Sequence, residues 1–145
     1  MIFGAAKNFA RILFFGLITC ALGHAACPVN VVVVKGQVHH APRNAKVRVE
    51  LLYPKKQGAD SAEMTLDNER FSIPVEFLTQ SRRPLLVGSL GEKCDRKPET
   101  VVVTLVGSDP SQEYDRVLLD LKKDFKMADP TAYTLRSEIV LNGPQ

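Results

Sequence analysis

The side chains of this 145-residue chain that could do chemistry are few: three cysteines, Cys20, Cys27 and Cys94, and three histidines, His24, His39 and His40. Nucleophilic catalysis needs a nucleophile, a base and an orienting group brought together. None of the local patterns that announce such a site is present: no Gly-x-Ser-x-Gly elbow, no phosphate loop, no His-Glu-x-x-His helix and no Gly-x-Gly-x-x-Gly. His39 and His40 precede Ala41-Pro42 and read as an exposed turn pair. Adjacent residues on an extended chain point to opposite sides, so the two are badly placed to chelate one ion.

The cysteines are best read through the start of the chain. Residues 1–25 carry Lys7 and Arg11, then an apolar run over 12–22, then small residues around Gly23 and Ala25. That order is the pattern of a secretory signal peptide, and the run is about half the ~20 residues a membrane span needs. Cleavage after Ala25 is expected, leaving one domain over 26–145, secreted and free of the membrane. Cys20 leaves with the signal. In an oxidising compartment the remaining pair, Cys27 and Cys94, is expected to form a disulfide. Closing 67 residues would contribute about 4 kcal/mol on the chain-entropy account.

Cleavage after Gly23 would instead make His24 the N-terminal residue. Its amine and imidazole, with His39 or His40, could then hold copper as secreted oxidative polysaccharide-cleaving proteins do. Cleavage after Ala25 removes that alternative, so neither metal nor cofactor is expected.

Charge narrows the partners. Losing Lys7 and Arg11 takes 19 basic residues to 17 against 16 acidic, a net of +1. Bulk attraction to nucleic acid or to an anionic membrane is not indicated. Basic pairs stand at Lys55-Lys56, Arg82-Arg83, Arg96-Lys97 and Lys122-Lys123, with no aromatic residues between them to stack bases. The mature chain has no Trp, so a sugar-stacking face is poorly supported too.

The elements that must position these side chains are strands. Residues 30–38 are valine-rich, as in a strand buried on both faces. Residues 46–53 alternate, with Val47, Val49, Leu51 and Tyr53 on one side. Ala62, Met64 and Leu66, a turn over 67–70, and then Phe71, Ile73, Val75 and Phe77 read as a hairpin. Pro74 falls on the outward side of its second arm, which suits an edge strand or a bulge. Further runs follow at 85–90, 99–106, 114–121 and 133–141, with a loop over 122–132 that has room for one helical turn. Phe125 and Met127 in that loop read as a plug for the core or as an apolar anchor.

About seven to eight short strands separated by Pro, Gly, Asn and Asp predict an all-β, antiparallel two-sheet sandwich. One conflict arises. If successive strands alternate direction, Cys27 and Cys94 fall at opposite ends, yet a disulfide needs their Cα atoms within about 7 Å. The cysteine pairing takes precedence over the strand count.

Val34-Lys35-Gly36-Gln37-Val38, Lys46-Val47-Arg48-Val49-Glu50-Leu51, Cys94-Asp95-Arg96-Lys97-Pro98 leading into Thr100-Val101-Val102-Val103-Thr104-Leu105, Glu113-Tyr114-Asp115-Arg116-Val117 and the closing run from Tyr133 to Leu141 make the chain resemble the transthyretin-like, or prealbumin-like, small secreted proteins, in particular the effector type released by filamentous fungi. The resemblance implies a sandwich and a protein that works by docking, with no catalytic residue carried over. It implies a host extracellular protein as partner, in the host apoplast, with papain-like cysteine proteases as a target class.

The resulting expectation is a non-enzymatic binding protein that could inhibit such a protease. The alternatives are the copper-dependent oxidative protein and a structural or carbohydrate-binding wall protein. The loop 91–98 is the expected contact, because a tethered Cys94 would limit the freedom lost on docking. Within it Lys93, Arg96 and Lys97 are the candidate contact residues. Arg96 leads, since its planar guanidinium can pair bidentately with a carboxylate.

Overall fold

A computed structural model describes residues 27–56, 58–81 and 94–145. The expected signal peptide, Lys93, the Arg82-Arg83 pair and the expected strand at 85–90 lie outside the described residues. Nine strands are described: β1 (Val29–His39), β2 (Lys46–Leu52), β3 (Ala59–Thr65), β4 (Arg70–Leu78), β5 (Thr100–Val106), β6 (Glu113–Asp120), β7 (Phe125–Asp129), β8 (Ala132–Leu135) and β9 (Ile139–Asn142). A four-residue helix, α1 (Leu121–Asp124), precedes β7.

The strands form the expected two-sheet sandwich. One sheet runs β4-β1-β8-β7, with β9 also on β1, and the other runs β3-β2-β5-β6. Most pairs are antiparallel, but β8 and β9 run parallel to β1. The closing run at 133–141 is therefore one strand path interrupted after Leu135 and resumed at Ile139.

Alternation carries most of this architecture. Along β2 and β4 every second residue is buried, and Val47, Val49, Leu51, Ile73, Val75 and Phe77 meet between the sheets. Burying such side chains contributes about 1.5–3 kcal/mol each, against the chain entropy lost in fixing the strands.

Three local expectations are corrected. The supposed hairpin does not pair with itself: β3 bonds β2 in one sheet, and β4 bonds β1 in the other, so residues 66–69 cross between sheets. The valine-rich β1 alternates, with Val32, Val34 and Val38 buried and Val31 and Val33 only half-buried. The strand covered on both faces is β5, where Val102 lies between Glu50 and Leu118, and Thr104 between Arg48 and Arg116. Long side chains on either flank shield its outer face. The connection over 122–132 holds the expected helical turn, most of α1, but its remainder is not a loop, since β7 and the start of β8 lie in it. Phe125 plugs the core, whereas Met127 points to solvent.

Gly36 shows where packing leaves no room. A Cβ there would lie 2.5 Å from the carbonyl oxygen of Ile139 and 2.7 Å from the Phe71 ring. Its bare backbone lets β9 and the Phe71 ring close over β1.

The cysteine conflict resolves through topology. Val29 at the start of β1 pairs with Leu78 at the end of β4, and Leu52 at the end of β2 pairs with Thr100 at the start of β5. Arg96 bonds the Leu78 carbonyl and stacks on Tyr53, the residue after Leu52, so β4 ends and β5 begins at the corner where β1 begins. Cys27 and Cys94 meet there, with Cα atoms 5.3 Å apart and an S–S bond of 2.02 Å.

Candidate functional site

The disulfide corner is built from the ends of four strands. Pro28 has no N–H to offer the end of β4. Thr79 donates its N–H and its hydroxyl to the Pro28 carbonyl, at 3.4 and 3.0 Å. The Thr79 carbonyl, which would otherwise lack a strand partner, accepts the Arg96 N–H at 2.8 Å. Three residues on, the Glu99 N–H reaches the Leu52 carbonyl at 2.9 Å and leads into β5.

Arg96 is the expected lead contact, and the structure gives its guanidinium partners within its own chain. Nη1 donates to Asp60 Oδ2 at 2.9 Å and to the Leu78 carbonyl at 3.1 Å. The guanidinium also lies 3.6 Å from the centroid of the Tyr53 ring. Its side chain is 13% exposed, and the carboxylate it pairs with belongs to β3. A planar cation stacked on a ring and bonded at its edge is the use for which Arg surpasses Lys.

Lys97 is turned the other way. It is exposed, and its Nζ stands 5.1 Å from the Tyr133 ring centroid. Tyr53, Phe77 and Tyr133 form a row, with centroids 6.4 and 6.5 Å apart, the first pair edge-on and the second tilted. A cation from each of two consecutive residues thus caps each end of one three-ring row. Such ring pairs contribute about 0.5–1.5 kcal/mol beyond their buried area. No sequence pattern marks this row, because its members come from β4, β8 and the end of β2.

Tyr53 also donates its hydroxyl to Asp60 Oδ2, so Asp60 is shared between a phenol and a guanidinium. Burial above all, then the hydrogen bond to Asp60 and its charge, pushes the Tyr53 phenol well above the usual tyrosine value of 10.0. The unfolded chain ionises this group where the fold holds it neutral. Stability from this group is therefore intact below pH 10 and declines as pH rises beyond it. Denaturant titrations between pH 8 and 11.5 should show that decline, and Tyr53→Phe should flatten it. An equally steep decline in Tyr53→Phe would place the alkaline sensitivity elsewhere.

Beside the corner, Val29, Ala59, Asp60, Glu76, Leu78 and Arg96 line part of an open groove of about 770 Å³. Val29 and Leu78, a cross-strand pair, are each about half exposed. His39 and His40 are both exposed at the far end of β1, and His40 adopts a left-handed backbone at φ 55° that turns the chain. Among the described residues no group of three His, Cys, Asp or Glu side chains could hold a metal ion, and no helix is long and apolar enough to cross a membrane. Compared with known proteins, the chain matches no family model, no curated protein and no solved structure.

Proposed function

We propose that this chain is a secreted binding protein of the effector type, which docks onto a host extracellular protein in the apoplast and inhibits a defence protease of the papain-like class. The observation that carries the reading is the number of tethers on residues 94–98. A disulfide, a backbone bond to β4, the Arg96 side-chain bonds and two ring contacts hold five residues that include a solvent-facing lysine. A segment fixed before docking loses little conformational entropy on docking, which is how inhibitors of standard interface size reach high affinity. The sandwich agrees with the transthyretin-like resemblance, from which the host partner and the protease class are taken.

Within this reading Lys97, with Lys93 nearby in sequence, meets the partner, and Arg96 is a positioning residue that holds the backbone next to Lys97. Purified protein mixed in equimolar amount with a papain-like protease should reduce cleavage of a peptide substrate. Lys97→Glu should weaken that inhibition at least tenfold, about 1.4 kcal/mol, while the loss of its exposed contact with the Tyr133 ring lowers the melting temperature by only about 5 °C or less. Full inhibition by Lys97→Glu would remove this segment from the contact. Absence of inhibition, with a different extracellular protein recovered on the immobilised chain, would retain docking and discard protease inhibition.

A further inference from the structure

A β-sandwich has edge strands, and the free N–H and C=O groups on an edge will pair with any strand that reaches them unless something blocks them. Residues of an antiparallel strand alternately face their partner and the open edge. The hydrogen bonds at the strand ends fix which residues do which.

Three edges of this sandwich are obstructed. On β4, the Thr79 N–H reaches Pro28 and the Val38 N–H reaches Glu69, so Arg70, Ser72, Pro74, Glu76 and Leu78 face outward. Pro74 has no N–H in the middle of that edge, and the outward Leu78 carbonyl is taken by Arg96. On β6, the Leu121 N–H reaches Glu99, so Arg116, Leu118 and Asp120 face outward. Their neighbours cap two of those three: the Arg116 N–H bonds Asp115 Oδ1 and the Asp120 N–H bonds Asp124 Oδ2. The third, β7, is five residues long and irregular between Met127 and Asp129.

Among the described residues the β3 edge has no such obstruction. The Leu66 N–H bonds the Ala45 carbonyl, so Asp60, Ala62 and Met64 face β2 and Ala59, Ser61, Glu63 and Thr65 face outward. These four residues present eight backbone groups on a continuous seven-residue strand with no proline and no bulge. A lone charge at an edge normally repels a second strand. Here Lys46 and Arg48 on β2 each hold the Glu63 carboxylate at 3.0 Å. The hydrogen bond from Lys46, above all, holds that carboxyl below its usual value.

We propose that β3 pairs antiparallel with β3 of a second copy of this chain, about a twofold axis through Ala62. Outward-facing residues lie at odd positions, so an axis through Ala62 sets Ser61 against the second copy's Glu63 and Ala59 against its Thr65, and all eight groups on each strand find partners. The Ser61 hydroxyl can donate to the opposing carboxylate, and two alanines meet at the closest point of the pair. An axis through Glu63 would set the two carboxylates opposite each other, and one through Ser61 would leave Thr65 unpaired. The register is thus selected by charge and by hydrogen-bond count, and the result is one continuous eight-stranded sheet.

Sedimentation equilibrium of the purified protein tests this. The weight-average mass should rise from one chain mass to two with concentration. Ser61→Pro removes an outward N–H and leaves the β2 ladder whole, as Pro74 does on β4. It should raise the dimer dissociation constant at least tenfold while the dilute protein melts as before. If that variant fails to fold, amide exchange in the unsubstituted protein serves instead: the Ser61 and Glu63 amides should slow as concentration rises. A single chain mass at every concentration, or a dimer indifferent to Ser61→Pro with unchanged exchange, overturns the proposal. A monomer whose Ser61 and Glu63 amides slow only when a protease is added overturns it in favour of a strand from that partner.

Discussion

Cys94→Ser is expected to destabilise the protein by about 2–5 kcal/mol and to lower its melting temperature by about 10 °C or more. The bridge closes 67 residues, so its removal enlarges the unfolded ensemble substantially. Its effect in the folded state is equally specific. Cys27 precedes β1 and Cys94 follows the connection from β4, so the bond holds together the corner from which Arg96 and Lys97 reach their rings. Loss of the bridge should therefore loosen the 94–98 backbone before it unfolds the sheets. Amide exchange should show faster exchange at Arg96 and Glu99 than at the centre of β5, under conditions where the variant is still folded. Uniform acceleration along the chain would show that the corner has no independent stability. Thiol labelling of the denatured, unreduced parent should find no free thiol at Cys27 or Cys94.

Arg96→Ala is expected to cost about 1–3 kcal/mol, between the values for breaking a buried and an exposed ion pair. The estimate sits in that interval because the Arg96 side chain is largely covered while that of Asp60 is about one-third exposed. The truncation leaves Asp60 with the Tyr53 phenol alone, strips the Leu78 carbonyl of its donor and uncovers the Tyr53 ring. Arg96→Lys should recover little of the loss, since an ammonium cannot both stack on the ring and bond at its edge. Equilibrium denaturation of Arg96→Ala, Asp60→Ala and the double variant measures the coupling, expected at about 1–3 kcal/mol. Additive losses would mean that the ion pair contributes nothing of its own. A binding assay on Arg96→Ala is interpretable only beside these stability values, because the variant alters the support of the proposed contact segment as well as its charge.

Sequence parity alone, once Cys20 is assigned to a signal, pairs Cys27 with Cys94, and the period-two pattern alone gives the buried faces of β2 and β4. Both are local or countable properties: alternation states which side of a strand is apolar, and two cysteines have one pairing. Alternation does not state which strand lies alongside. The inner faces of both sheets are apolar in the same way, so β3 and β4 look like a hairpin although they belong to different sheets. For the same reason β7, whose only buried side chain is Phe125, has no pattern to betray it and is held by the backbone of β8. The valines of β1 and β5 look alike in sequence, and only their neighbours decide that one strand is half-covered and the other buried from Val101 onward. Arg96 shows the same limit at the candidate site. Residue type and a nearby cysteine marked it as important, but its partners Asp60, Leu78 and Tyr53 are 36, 18 and 43 positions away in the chain. Only the meeting of β2, β3 and β4 at one corner decided that its guanidinium would face the fold, because side-chain direction there follows from the packing of two sheets and not from the order of residues in either.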